Sequence, residues 1–87
     1  MRNLTKLYKA LANERRLKIL KILLEEGELN VSDIASRIRL SHRSTSKHLI
    51  LLEKAGFVKY RSVALHCFYS LNKTPQNKMF INTLKQS

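Results

Sequence analysis

Eighty-seven residues suffice for one domain and are too few for two, and a hydrophobic fraction of 44% argues for a folded chain over a disordered one. No apolar run approaches the ~20 residues needed to cross a bilayer, and the charge-studded start MRNLTKLYKALANERRLKIL does not read as a secretory signal, so a soluble cytoplasmic protein is expected. Seventeen Lys and Arg against six Asp and Glu leave a net charge of +11, which favours polyanionic partners through phosphate contact and counterion release.

Apolar spacing predicts a first helix with Leu4, Leu7, Tyr8 and Leu11 on one stripe. Asn13 can cap a second helix that carries Leu17, Leu20, Leu23 and Leu24 inward and stops at Gly27. A third, short helix follows with Asn30 or Ser32 as cap and Val31, Ile34, Ala35 and Ile38 as its stripe. After RIRLS breaks the pattern, Ser41 caps a fourth helix, whose inward positions are Thr45, His48, Leu49 and Leu52 and whose end is Gly56. The segments FVKYRS and HCFYSL then read as two antiparallel strands joined through Val63, Ala64 and Leu65. Thr74 and Pro75 supply a cap and first turn for a last helix bearing Phe80, Ile81 and Leu84. The order is α-α-α-α-β-β-α, mainly α with a small β-hairpin.

Charge is spread unevenly over these elements. Five of the six acids precede residue 34, whereas Ile34 to the end holds ten basic residues and the single acid Glu53. The fourth helix divides into a polar, hydroxyl-rich first half and an apolar second half. With Thr45, Leu49 and Leu52 facing the core, His42, Arg43, Ser46 and Lys47 share the outer face, with Ser44 beside them. That division suits a recognition helix: Arg43 can pair bidentately with guanine, and the serines and helix N-terminus can hold phosphate. A solvated face with capping serines would share the pattern.

The stretch LYKALANERRLKILKILLEEGELNVSDIASRIRLSHRSTSKHLILLEKAGFVKYR strongly resembles the ArsR-type family of bacterial and archaeal winged-helix repressors, over about two-thirds of the chain. Within it, LYKALANERRLKIL looks like the entry helices, ELNVSDIA like the helix before the turn, and LSHRSTSKHLILLEKAGFV like the recognition helix and first wing strand. The resemblance implies one winged helix-turn-helix domain over 1–87. It implies a homodimer built by the first and last helices (1–12 and 75–87), bound to a near-palindromic operator on double-stranded DNA and usually repressing transcription. It places DNA contacts at His42, Arg43, Ser44, Ser46 and Lys47; His48 fits the family pattern too but lies on the inward stripe and is assigned to packing. Leu4, Leu7, Tyr8, Leu11, Phe80, Ile81 and Leu84 are the expected dimer interface, offering more apolar surface than so thin a core needs.

Three departures narrow the expectation. Metal-sensing members carry cysteines in the third helix, where Asn30 and Ser32 stand here, and neutral amide and hydroxyl oxygens cannot replace thiolates for soft metals. TPQNKMFINTLKQS likewise lacks the His and carboxylate ligands that other members place on the last helix, so no metal or other cofactor is expected. The wing tip Val63-Ala64-Leu65 lacks the usual glycine and basic residues, which leaves Arg61, at the hairpin base, as the better phosphate contact. Ile50 stands where a charged residue is common and could meet a thymine methyl or a neighbouring protein.

His66 and Cys67 are adjacent in a strand and point to opposite faces, so they do not read as a metal pair; Cys67 reads as a buried structural thiol. Other function classes fare worse. An enzyme would need a phosphate loop, an H-E-x-x-H pair or a nucleophile with base and acid, and Asp33 is better explained by the helix dipole. The stronger rival is a helix-turn-helix module used for protein–protein interaction or non-specific nucleic-acid binding. RNA binding ranks below it, because the aromatic residues occupy core-like positions. No membrane partner is expected, since no helix joins a fully basic face to a large exposed apolar one.

Overall fold

The computed structural model describes residues 9–86. Residues 9–11 are helical and lead into α1 (Glu14–Glu26). Asn13, extended at φ −155°, starts α1: its Oδ1 accepts from the backbone N–H groups of Arg15 at 2.9 Å and Arg16 at 3.2 Å. Gly27 ends it at φ +87°, with its N–H donating to the Leu23 carbonyl at 2.9 Å. A two-residue strand, β1 (Leu29–Asn30), runs directly into α2 (Val31–Ile38). Asn30 is the α2 cap, its Oδ1 accepting from the Asp33 N–H at 2.8 Å. Arg39, left-handed at φ 58°, turns the chain out of α2 toward α3 (His42–Lys54).

β2 (Val58–Val63) and β3 (His66–Leu71) form the hairpin, and β1 joins it to give an antiparallel sheet in the order β1-β3-β2. In this register Leu29 lies opposite Tyr69 and Tyr60 lies opposite Tyr69 on the other side. A 3-10 turn (Pro75–Asn77) then leads into α4 (Lys78–Lys85). The core fills the space between helices and sheet: Ile19, Leu20 and Leu23 from α1, Ile34 from α2, Leu49 and Leu52 from α3, and Val58 and Leu71 from the hairpin are all buried. Burying each such side chain stabilises the fold by about 1.5–3 kcal/mol before conformational entropy is charged against it. Asn77 is a buried polar residue at the join of hairpin and last helix. Its amide donates to the carbonyls of Gly56 at 2.9 Å and Asn72 at 2.7 Å, so its burial is compensated.

Four sequence expectations change. Leu17 is 39% exposed, and fully buried Ile19 takes its place on the α1 core face. Six apolar residues within the 13 of α1 span more than one stripe, and packing on α4 and α2 selects among them. β1 adds a strand to the expected hairpin. Thr74 makes no side-chain cap bond, and Pro75 opens the 3-10 turn, so α4 starts three residues later than expected. Leu84, expected at a dimer surface, is buried against its own core, because α4 packs that face on α1.

Candidate nucleic-acid interface

α3 begins with Ser41, whose Oγ accepts from the Ser44 N–H at 3.1 Å. The first turn carries no acidic residue, so the partial positive charge of the helix N-terminus is not neutralised by its own side chains. Thr45, Leu49 and Leu52 are fully buried and fix the rotation of the helix. The opposite face therefore presents His42, Arg43, Ser44 and Lys47 to solvent, with Ser46 half-buried and Ile50 exposed. Two cations, two hydroxyls and an imidazole thus stand on one ridge, at the end of the helix whose dipole favours anions.

His48 lies between the two faces. It is half-buried, and its Nδ1 accepts a hydrogen bond from Arg16 Nε at 3.1 Å, which ties α3 to α1. Burial, and then the charges of Arg16 and Arg15, hold the imidazole below its ordinary pKa of 6.5 and favour the neutral ring that this bond requires.

Arg61 stands apart from this ridge, on β2. Its guanidinium passes 5.6 Å from the Phe68 ring on β3 and reaches Glu28, just before β1, in a two-pronged pair at 2.8 and 2.7 Å. The hydrogen bond from Arg61 is the main reason that the Glu28 carboxyl sits below its usual range. The Glu28 carboxylate is thereby engaged, and so is the cation expected to meet phosphate. That partnership was not legible in the sequence, because a separation of 33 positions gives no spacing signal.

Asn30 and Ser32, where the family resemblance would put cysteines in a metal sensor, are used otherwise. Asn30 Oδ1 caps the helix, and Ser32 is exposed. Amide and hydroxyl donors do not fit a soft metal ion, and among the described residues no cluster of three His, Cys, Asp or Glu could hold a metal. On β3, His66 is exposed and Cys67 half-buried against the core. Of the expected dimer residues, Leu11, Phe80 and Ile81 are half-buried on the core margin, whereas Leu4, Leu7 and Tyr8 lie outside the described residues.

The family described as bacterial regulatory protein, arsR family, matches residues 13–60, more than half of the chain and all of α1 to α3. The chain belongs to the ArsR family. This ArsR-family chain is 45% identical over 73 residues to the transcriptional activator HlyU of Vibrio cholerae, covering 84% of the chain and 67% of HlyU. It is 41% identical over 70 residues to a cadmium resistance transcriptional regulatory protein CadC homolog of Staphylococcus aureus, covering 80% of the chain and 58% of that protein. The solved structure of HlyU superposes with a TM-score of 0.84 at 40% identity, covering 97% of this chain and 89% of that one. A homodimeric winged helix-turn-helix DNA-binding domain of Mycobacterium bovis superposes with the same TM-score at 27% identity, covering 97% of this chain and 76% of that one. The ArsR-family chain is a winged helix-turn-helix DNA-binding transcriptional regulator: α2 and α3 are the helix-turn-helix, and the β2–β3 hairpin is the wing.

Proposed function

We propose that the chain is a single domain over 1–87 that acts as a homodimeric repressor. It places α3 of each protomer in successive major grooves of an inverted-repeat operator. The observation that carries this reading is the ridge of exposed His42, Arg43, Ser44 and Lys47 with half-buried Ser46, held outward by three fully buried residues on the reverse of the same helix. Arg43 is assigned to a base edge, Lys47 and the hydroxyls to phosphate, and Arg61 to phosphate once it leaves Glu28. Residues 1–12 and 75–87 supply the dimer contact, with Leu11, Phe80 and Ile81 at the margin of the core. The homodimeric Mycobacterium bovis neighbour supports a dimer. Occupying an operator that overlaps a promoter excludes polymerase, which is repression.

The same reading makes the protein a cytoplasmic, non-catalytic regulator that needs no metal. No helix among the described residues is long and apolar enough to cross a membrane. The direct test measures binding of Arg43→Ala and Lys47→Ala to the preferred duplex and to scrambled duplexes. Arg43→Ala is expected to cost about 1–3 kcal/mol and to relax base preference at one position. Lys47→Ala is expected to weaken all duplexes alike and reduce the salt slope by about one. Unchanged affinity in both variants would remove α3 from the interface.

A further inference from the structure

Leu65 is the most exposed of the large apolar side chains among the described residues, at 99%, and Val63 beside it is 44% exposed. The register pairs Val63 with His66, which leaves Ala64 and Leu65 as a two-residue turn. Ala64 holds that turn at φ 56°, a left-handed conformation that a residue with a β-carbon rarely adopts. From Ser62 to Cys67 there is no lysine or arginine, and Arg61 is gripped by Glu28. A wing that held phosphate would place cations at this tip; this one places a leucine there.

The position of the tip says what it meets. Leu65, His66 and Cys67 form one wall of a cavity of about 240 Å³, and His42, Ser46 and Ile50 of α3 form another. The tip is therefore continuous with the outer face of the recognition helix, and exposed Ile50 extends its apolar surface. A duplex seated on that face carries its next groove, the minor groove, past the hairpin. We propose that Leu65 enters the minor groove as an apolar wedge, pressing on sugar walls and base edges at a deformable step. The tip then reads groove shape and stiffness, and phosphate contact by the wing is left to Arg61 at its base. Pyrimidine–purine steps unstack most readily, so one is expected where the tip lands. The inference rests on the DNA-binding reading above and adds the feature of DNA that the wing recognises.

The test uses the duplex most enriched from a random-sequence pool, end-labelled so that energy transfer reports its bend. Leu65→Ala should weaken binding about tenfold, the scale of losing one buried leucine side chain. It should also reduce the bend and abolish the step preference, with an unchanged salt slope. Its thermal midpoint should match the parent, because so exposed a side chain packs on little of the fold. Leu65→Lys should lose the bend and the step preference too, while steepening the salt slope. Parental binding and bending by Leu65→Ala would overturn the wedge, as would tighter binding by Leu65→Lys with the step preference kept. If the parent enriches no duplex and ignores Arg43→Ala and Lys47→Ala, the DNA-binding reading itself fails. If the parent binds specifically and only Leu65→Ala is silent, the wedge alone fails.

Discussion

Thr45 sits at the middle of the inward face of α3, fully buried, and its hydroxyl is without a hydrogen-bond partner among the described residues. Leaving such a group unpaired costs about 1–3 kcal/mol, more than its packing requires. Thr45→Val keeps the branched shape and removes the polar atom, and it is expected to raise stability by about 1 kcal/mol in a urea titration. A fall in midpoint would show that the hydroxyl is satisfied. Helical periodicity assigns Thr45 to the inward stripe correctly, but the solitude of its oxygen depends on neighbours from elsewhere in the chain. His48 shows the same division: the stripe places it inward, while only the fold supplies Arg16 as its donor. Because folding lowers the His48 pKa, the unfolded chain takes up a proton first as pH falls. Stability is therefore full above the ordinary value of 6.5 and declines as pH drops from there toward the depressed folded value. Thermal midpoints across this range should fall on acidification, and the step attributable to His48 should vanish in His48→Gln. A parent and variant with identical pH profiles would remove the Arg16–His48 bond from the energetics.

At the scale of elements, the wing is joined to the helix-turn-helix through β1 and through the Glu28–Arg61 pair, which crosses over Phe68 on β3. The pair is exposed, so its contribution to stability is small, but under the proposed function it holds Arg61 back from phosphate. Glu28→Gln removes the charge that holds the guanidinium and is expected to raise duplex affinity severalfold. It should steepen the log–log salt slope by about 0.9, the value of one more phosphate contact. Equal affinities for the parent, Glu28→Gln and Arg61→Ala would show that Arg61 serves the wing and not the DNA. Elements that announce themselves locally were legible in the sequence. Asn13, Asn30 and Ser41 cap the helices assigned to them, and Gly27 ends α1 with the positive φ that glycine tolerates. β1 was not legible, because two residues cannot show an alternation and their partners, Tyr69 and Phe68, lie 40 and 38 positions away. Nor could the sequence choose between Leu17 and Ile19, since α1 is apolar on more than one side.

For the whole molecule, charge and architecture point to the same partner. The net charge of +11 favours a polyanion of any sequence, and it explains attraction without explaining specificity. In the proposed function, specificity comes from the α3 ridge, the wing tip and two copies spaced to match the duplex. The family and its helix order were legible because caps, stripes and turn all lie in one continuous stretch, residues 13–60. Which apolar residues of the last helix the core takes was less so. An apolar stripe on the last helix could serve either the core or a partner, and Leu84 is buried in the core.

The most direct test is selection of binders from a random duplex pool at near-physiological salt, where non-specific phosphate attraction is partly screened. Enrichment of an inverted repeat with half-sites about 10 base pairs apart, centre to centre, is the expected result for a symmetric dimer with one recognition helix per half-site. A pool that yields no motif, with binding that only weakens as salt rises, would contradict sequence-specific regulation by this chain.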